Sequence, residues 1–191
     1  MAGKQAKLLS ERDLGIALRH TACGRHPQRD RLILLLSAKA GLRAGEIAKL
    51  TWPMLLDATG RVAITLELHD RAAKKGSGRT ILLHPELRAL LLRVRRQADR
   101  FGPVIVSERG GAMRPASIVN WFRHLYRELG FDGCSSHSGR RTFITNAARQ
   151  VHRAGGSLRD VQELAGHRSL SMTQSYIVGD TAAKRRLVGL L

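Results

Sequence analysis

The order of apolar and polar positions predicts helices for the first quarter of the chain. A capping box of the S-x-x-D type at Ser10 opens a short helix that is expected to end near Thr21. A second helix is predicted from about Arg29 to Ala40 and contains the longest apolar run, Leu32 to Leu36. Gly41 is expected to end that helix. The chain therefore starts as a series of short helices.

The pattern changes from helical to alternating in the middle of the chain. A third short helix, over about Ala44 to Leu50, stops before Pro53. Arg61 to Leu68 alternates and is rich in β-branched residues, which predicts a half-exposed strand, and Thr80 to Leu83 is its expected partner. The basic, glycine-containing segment between them, Arg71 to Arg79, is expected to form the tip of a hairpin.

The rest of the chain returns to a helical pattern. Helices are predicted at about Pro85 to Arg100, Pro115 to Leu129, His137 to Val151, Ser157 to Gly166, Leu170 or Met172 to Val178, and Thr181 to Leu191, with a short strand at Val104 to Val106. The expected fold class is mainly α with a small antiparallel β-sheet (α+β). No repeat or long linker divides residues 1–191, so we expect one domain with a core over about 10–178 and a tail helix over about 181–191.

Composition excludes several classes of protein. The longest apolar run is far shorter than a membrane span, and no apolar segment of a secretory signal follows Met1. The two cysteines, Cys23 and Cys134, lie in neither a disulfide framework nor a zinc-ligand pattern. We therefore expect reduced thiols and a cytoplasmic location.

The charge balance points to a polyanionic partner. The sequence has 33 Lys and Arg against 15 Asp and Glu, a formal net charge of +18. A surface of this kind attracts nucleic acid, and it exceeds the charge of about 2–8 that solubility alone explains. Aromatic residues make up 4% of the chain, which is few for a protein that stacks single-stranded bases. Duplex DNA is therefore the expected partner.

Two segments contain candidate anion-binding side chains. Arg43 lies at a junction between helices, with Glu46 three residues later; an ordinary intrahelical ion pair is the alternative reading. His137 and Arg140 share one face at a helix start, where backbone N–H groups point outward. Arg141 adds a further positive charge at this end, against the preference of the helix dipole. A binding site for an anion and a solvated basic helix end both fit this second segment.

A third segment contains a histidine and a tyrosine separated by a break. His167 and Tyr176 would lie on opposite sides of one continuous helix, but the segment from Gly166 to Ser169 is expected to interrupt it. A core tyrosine and a capping or surface histidine are the ordinary alternatives. Taken alone, this segment does not decide between packing and chemistry.

Together these segments resemble the tyrosine recombinase (phage integrase) family. The family motifs are an arginine in G-L-R-x-x-E, a hairpin lysine, H-x-x-R, and L-G-H with eight residues between histidine and tyrosine. They occur here in the family's order, over roughly residues 10 to 185. The resemblance implies the catalytic residues Arg43, Lys74, His137, Arg140, His167 and Tyr176, with Glu46 as acidic support. Lys74 is chosen because it lies five residues before Arg79, and Lys75 is the alternative.

The resemblance also implies a mechanism and partners. Tyr176 would attack a phosphodiester and form a 3′-phosphotyrosyl enzyme, with His137 as proton acceptor and Lys74 as general acid, and without metal or other cofactor. The expected function is site-specific recombination of duplex DNA: integration, excision or inversion. Basic residues expected to bind DNA are Lys75, Arg79, Arg141 and Arg168. The protein would be bacterial or phage-encoded and nucleoid-associated, and would form a homo-tetramer on DNA and a monomer without it.

Some features depart from the family pattern and leave alternatives. Ala165 replaces the usual leucine of L-G-H, and Arg141 replaces a histidine that often follows the second arginine. The length of 191 residues leaves no room for the N-terminal DNA-clamping domain of many members, so an accessory protein could supply the clamp. The alternatives are a non-cleaving DNA-binding accessory or regulatory protein derived from a recombinase, and a topoisomerase-like strand relaxer.

Overall fold

The computed structural model of the chain describes residues 5–73, 78–96 and 101–176, together with 185, 188 and 189. Its elements, in chain order, are helices α1 (Glu11–Ala22), α2 (Pro27–Ala40) and α3 (Ala44–Ala48), a 3-10 turn (Trp52–Met54), strands β1 (Thr65–Leu68) and β2 (Arg79–Leu82), and helices α4 (Pro85–Arg95), α5 (Pro115–Glu128), α6 (Ser138–Gln150), α7 (Leu158–Ala165) and α8 (Leu170–Gln174). The predicted fold class, mainly helical with a small antiparallel sheet, is confirmed.

Helix α2 lies at the centre of the molecule. Its apolar run from Leu32 to Leu36 is fully buried, and α1, α3, α4 and α6 all pack against it. A helix that is apolar on every side must be covered on every side, so this run determines the position of the core. The helix starts at Pro27, two residues before the predicted start, because proline is well suited to the first position of a helix.

Both predicted capping boxes form. The Ser10 hydroxyl accepts from the Asp13 amide at the start of α1, and the Asp13 carboxylate accepts from the Ser10 amide. At the start of α7, the Asp160 carboxylate accepts from the Ser157 amide at 2.7 Å. These local bonds satisfy backbone donors that a helix start leaves without partners.

The sheet is smaller than the sequence pattern predicted. Strands β1 and β2 pair antiparallel, with Thr65 opposite Leu82 and Leu68 opposite Arg79. The strand predicted from Arg61 is shortened because Val62 forms only a single bridge, to Leu56, across the turn that precedes β1. The strand predicted at 104–106 is likewise absent from the described residues, where Pro103 and Val106 form only single bridges, to Thr51 and Ala112. A local alternating pattern does not reveal whether a segment finds a partner.

The last part of the fold brings α6, α7 and α8 together beside a second small core. This core contains Ile144, Val151, Val161 and Ala165, and Tyr176 packs against its edge. The predicted tail helix over 181–191, and the end of the helix predicted to reach Val178, lie outside the described residues.

Candidate active site

Arg43 and Glu46 form the first part of the site, at the start of α3. The Glu46 carboxylate accepts from the Arg43 backbone amide at 2.9 Å and from Arg43 Nη1 at 2.8 Å. The backbone contact is one half of a capping box, so the local fold of α3 itself holds the carboxylate next to Arg43. Glu46 is 1% exposed, whereas the Arg43 side chain remains partly accessible. The arginine can therefore reach a ligand while the acid cannot.

Arg79 approaches the same carboxylate from strand β2. Its Nη1 and Nη2 donate to the two oxygens of Glu46 at 3.2 Å and 3.1 Å, and its Nε donates to Leu164 O at 3.2 Å. Its side chain is 5% exposed. Arg79 is predicted from the sequence to bind DNA, but the structure places its side chain inside, because the neighbouring Glu46 offers a fork-shaped partner.

Two arginines lower the pKa of Glu46 against the effect of burial. Burial alone would raise the pKa of this carboxyl group, but the hydrogen bond and charge of Arg79, followed by the amide and charge of Arg43, outweigh that effect. Glu46 therefore remains ionised when the site is folded.

Arg140 lies behind this pair on helix α6. It is 2% exposed, and its Nη1 and Nη2 donate to Gly41 O at 2.5 Å and Ala165 O at 2.6 Å. Burial, then the charges of Arg43 and Arg79, lower the pKa of the guanidinium, yet arginine starts so high that it stays charged. Its Nε is buried without a hydrogen-bond partner among the described residues. This free donor is available to an anion.

His167 follows the end of α7 and is 5% exposed. Its Nδ1 lies 3.0 Å from the Thr173 hydroxyl, while its Nε2 is buried and has no partner in the described part of the chain. Burial, followed by the charges of Arg140, Arg43 and Arg79, lowers the pKa of His167 to about 4. The imidazole is therefore neutral at physiological pH.

Tyr176 lies next to His167, just after helix α8. The two rings stack with centroids 5.1 Å apart and an angle of 30° between their planes. The Tyr176 amide donates to Thr173 O at 3.0 Å, and the Thr145 hydroxyl donates to Tyr176 O at 2.9 Å. The break between α7 and α8 thus puts the histidine and the tyrosine on the same side, as the sequence analysis expected.

His137 lines the same pocket as Tyr176, at the start of α6. This pocket has a volume of about 380 Å³, and Arg141, Ser135, Ser175 and the segment Gln5–Ala6 also line it. His137 itself is exposed. Arg141, expected to bind DNA, instead donates through Nη1 to Ala6 O. Its guanidinium ties the start of the described chain to α6.

The remaining predicted site residues are on the outside or are not described. Arg168 is exposed beside His167. Lys74 and Lys75 lie outside the described residues, so the proposed positions of the general acid and of its alternative remain sequence predictions.

The site is strongly cationic. Arg43, Arg79 and Arg140 surround a single described carboxylate, Glu46. Three guanidinium groups against one acid leave an excess of positive charge in a largely buried place, which favours an anion such as a phosphodiester. Within the described ranges, no three His, Cys, Asp or Glu side chains come together to hold a metal ion. No helix in the same ranges is long and apolar enough to cross a membrane.

Sequence reasoning missed the side chains that hold the site in place. Thr173 contacts His167, and Thr145 holds the Tyr176 backbone. Both threonines are buried on helices. The signal that the sequence offers for such residues is a polar side chain on a helix that the local pattern does not explain. Nothing in the local pattern gave the inward direction of Arg79.

Comparison with known proteins agrees with this geometry. The family model described as "Phage integrase family" matches residues 10–182. The tyrosine recombinase XerC of Mesorhizobium japonicum is 31% identical over 159 residues, which cover 81% of this chain and 48% of that protein. XerC of Bradyrhizobium diazoefficiens is 41% identical over 76 residues, 39% of this chain and 22% of its own length. The matches thus span less than half of these curated relatives.

Solved structures share the fold. The Tn1549 transposon integrase in complex with a circular intermediate DNA gives a TM-score of 0.75 at 18% identity, covering 100% of this chain and 67% of that chain. The crystal structure of XerA recombinase gives 0.72 at 24% identity, covering 100% and 65%. Because the family model covers most of the chain and the motif residues converge in one site, this protein belongs to the phage integrase family of tyrosine recombinases.

Proposed function

We propose that this chain cleaves and rejoins duplex DNA at specific sites through a covalent phosphotyrosine intermediate. The observation that carries the proposal is the arrangement beside Tyr176: Arg140 and His167 are buried, each with a ring or guanidinium nitrogen left unpartnered among the described residues. Buried donors without partners are exceptions in folded proteins, and these two lie near each other in a cationic site. A phosphate entering next to Tyr176 would supply the missing acceptors.

Tyr176 is the proposed nucleophile. Its Oη forms a bond to the phosphorus while the bond from phosphorus to the 5′ oxygen breaks, which leaves a 3′-phosphotyrosyl enzyme. The phenol proton passes to His137, which lines the same pocket. A phenol ordinarily titrates near pH 10, so a base and a cationic surrounding both favour its attack. The reverse reaction with another 5′-hydroxyl rejoins the strands.

Arg43, Arg140 and His167 are the proposed holders of the non-bridging phosphate oxygens. Their N–H groups can stabilise the negative charge that develops on these oxygens in the transition state. Removal of one such donor typically raises the activation free energy by about 3 kcal/mol. His167 is proposed to donate as a neutral imidazole, in the tautomer in which Nδ1 accepts from the Thr173 hydroxyl and Nε2 carries the proton.

Lys74 is the proposed general acid, which protonates the leaving 5′ oxygen. A lysine can give up a proton in this role, whereas an arginine of very high pKa does so poorly. The proposal for Lys74 rests on its place five residues before Arg79 and on the family resemblance.

A nicked half-site duplex tests the proposal, because the released fragment diffuses away and traps the covalent intermediate. We expect wild-type protein to accumulate protein–DNA adduct on a denaturing gel and Tyr176→Phe to give none. Binding to intact duplex should change by less than about threefold, because phosphate contacts supply most of the affinity. The matched control is Tyr126→Phe, since Tyr126 is buried in the main core, away from the site.

The outcomes separate the alternatives. Adduct in the Tyr176→Phe variant would overturn the assignment of the nucleophile. DNA binding without any wild-type adduct would favour a regulatory binding protein. Adduct together with relaxation of supercoils, but without exchange between two sites, would favour a topoisomerase-like relaxer.

The assembly on DNA is part of the same proposal. The Tn1549 integrase has been solved with DNA, and a lambda integrase dimer has been solved on a core site. We propose that this chain likewise binds duplex DNA and exchanges strands as a tetramer on two sites. Light scattering of the protein alone and with a full site measures this directly: a mass of four chains is expected with DNA and of one chain without it.

A further inference from the structure

We propose that Arg79 is a positioning residue for DNA cleavage, which anchors the start of strand β2, at the loop end of the β1–β2 hairpin, to the segments that carry Arg43 and His167. This inference rests on the proposed function, because it assigns a role within the same active site. It replaces the DNA contact that the sequence suggested for this arginine.

The contacts of Arg79 all lie within the protein. The guanidinium forms a fork with both oxygens of Glu46, and its third donor, Nε, reaches Leu164 O at 3.2 Å. With the side chain 5% exposed, no face of the group is open to a DNA backbone. Arginine is suited to this arrangement, because its planar donors are fixed relative to one another, whereas a lysine offers a single charged nitrogen.

The first consequence concerns the direction of Arg43. Glu46 Oε1 accepts from Arg43 Nη1 at 2.8 Å and from Arg79 Nη1 at 3.2 Å. Arg79 therefore fixes the plane of the carboxylate that orients Arg43. Without the fork, the Arg43 amide would still hold Glu46 Oε2, but the carboxylate could rotate about that contact and the Arg43 guanidinium would turn with it.

The second consequence concerns His167, through the end of helix α7. The last carbonyls of a helix lack intrahelical partners and carry the negative end of its dipole, so cations are favoured there. All four have donors in this structure. Backbone amides serve the first two: the Gly166 and His167 amides donate to Gln162 O, and the Gly166 amide also donates to Glu163 O. Arginine side chains serve the last two: Arg79 donates to Leu164 O, and Arg140 donates to Ala165 O. Arg79 thus holds the turn that presents His167.

The turn is shaped to fit the Arg79 side chain. A Cβ on Gly166 would lie 2.7 Å from Arg79 Cδ and 3.0 Å from its Nη1. Gly166 also has φ +60°, a conformation that favours glycine. The glycine before His167 therefore allows the close approach of the arginine as well as the turn.

Arg79 is in addition the first residue of β2, where it pairs with Leu68. Its anchoring therefore fixes the end of the hairpin next to the site. Lys74 stands five residues before this fixed end in the sequence. One side chain consequently connects the start of β2 to Glu46, beside Arg43, and to the end of α7, beside His167.

The test compares Arg79→Lys with a matched control, Arg88→Lys. Arg88 also bridges segments through backbone carbonyls, from Nε to Ala63 O and from Nη2 to Val62 O, both at 3.0 Å, but it lies outside the site. We expect single-turnover cleavage by Arg79→Lys to fall about 100-fold, as for a small misplacement of reacting groups. Its affinity for duplex DNA should stay within about threefold of wild type, because no phosphate contact is lost. Arg88→Lys should keep both the wild-type cleavage rate and the wild-type affinity for duplex DNA.

Two results would overturn the inference in this experiment. A parallel loss of binding and cleavage in Arg79→Lys would make Arg79 a DNA contact after all. Cleavage at the wild-type rate would show that the anchor is not needed. The unfolding midpoints of both variants are measured alongside, so that a general loss of folding is recognised.

A second measurement uses the protein without DNA. The NMR signals of the His167 ring, assigned with His167→Asn, should shift in Arg79→Lys and remain in place in Arg88→Lys. Unchanged ring signals in Arg79→Lys would overturn the inference whatever the cleavage result. If the wild-type chain forms no adduct, the proposed function fails, while these signals still decide whether Arg79 positions His167.

Discussion

His167 shows how the protonation state of one side chain follows from its surroundings. The ring is buried, and Arg43, Arg79 and Arg140 all act on it, so its pKa falls to about 4. Burial and positive neighbours both disfavour the imidazolium form. A neutral ring can stack on Tyr176 and still donate from one nitrogen. The surroundings thus exclude the charged form of the ring, while the neutral form can still donate a hydrogen bond.

Stability should therefore depend on pH through His167. An unfolded histidine takes up its proton near pH 6.5, but the folded one resists until about pH 4. Between these values the unfolded state binds more protons, so the free energy of unfolding falls as pH is lowered through this window and is fully present above it. Denaturant titrations at several pH values measure the slope. We expect His167→Asn, which can still contact Thr173, to make the slope shallower.

The exposed His152 provides the comparison, because it lies at the surface after α6. His152→Asn should leave the pH dependence of unfolding as in the wild type. If His167→Asn keeps the wild-type slope as well, the buried neutral state of His167 is wrong.

The C-terminal turn of helix α7 shows how one element depends on a side chain from another. Gly166 and Gly130 both follow a helix with positive φ, +60° and +66°. A Cβ at Gly130 would meet nothing within 4 Å, whereas one at Gly166 would meet Arg79. That arginine cannot move aside without giving up its contacts to Glu46 and Leu164.

We therefore expect a glycine-to-alanine substitution to have a larger effect on stability and cleavage at Gly166 than at Gly130. Gly130→Ala should cost about 1–2 kcal/mol of unfolding free energy, the usual penalty for the left-handed conformation. Gly166→Ala should cost a further 1–3 kcal/mol or so from overpacking, and it should slow cleavage while Gly130→Ala does not. Denaturant unfolding and the half-site assay measure both effects. Equal losses in the two variants would show that Arg79 adapts freely.

The hairpin between β1 and β2 gives a second prediction for a single element. If Lys74 is the general acid, Lys74→Ala should slow cleavage of a normal phosphodiester and be largely rescued by a 5′-bridging phosphorothiolate, whose sulfur leaves without a proton. Single-turnover rates on the two substrates measure the rescue. Rescue of Lys75→Ala instead would move the role by one residue, and rescue of neither would show that the hairpin does not donate the proton.

At the scale of the whole molecule, the net charge predicts how the proposed binding to DNA depends on salt. With a net charge of +18, the affinity for duplex DNA should fall steeply with salt and show weak sequence preference. About six phosphate contacts would give a loss of roughly 1000-fold between about 50 and 200 mM salt. Filter binding or fluorescence anisotropy over a salt series measures the slope. Salt-independent binding would contradict this expectation.

A pair of exposed arginines makes this prediction specific. Arg168, beside His167, is a predicted DNA contact, so Arg168→Ala should reduce the logarithmic salt slope by about 1. Arg159, an exposed arginine of α7 that pairs with Glu163 at 2.8 Å, is not among the predicted DNA contacts. Arg159→Ala should leave the slope unchanged. Equal slopes for both variants would show that Arg168 does not contact phosphate.

Local sequence patterns were sufficient for most of the fold. The capping boxes at Ser10 and Ser157, and the prolines at the starts of α4 and α5, are interactions within a few residues, so their effect can be read without the rest of the chain. The family resemblance that the motifs carry also implied that Arg43, Arg140, His167 and Tyr176 belong to one site. These four residues do converge in the structure.

The remaining features depend on partners that are distant in the chain. Nothing near Arg79 reveals that Glu46, 33 positions earlier, and Leu164, 85 positions later, will take up its donors. The strand at 61–64 was overpredicted for the same reason, since pairing requires a second strand in register. Local residues thus set the helices and the chemistry of the side chains. Packing across the chain set which arginines face inward, because a buried charge is stable only where folding brings its partner.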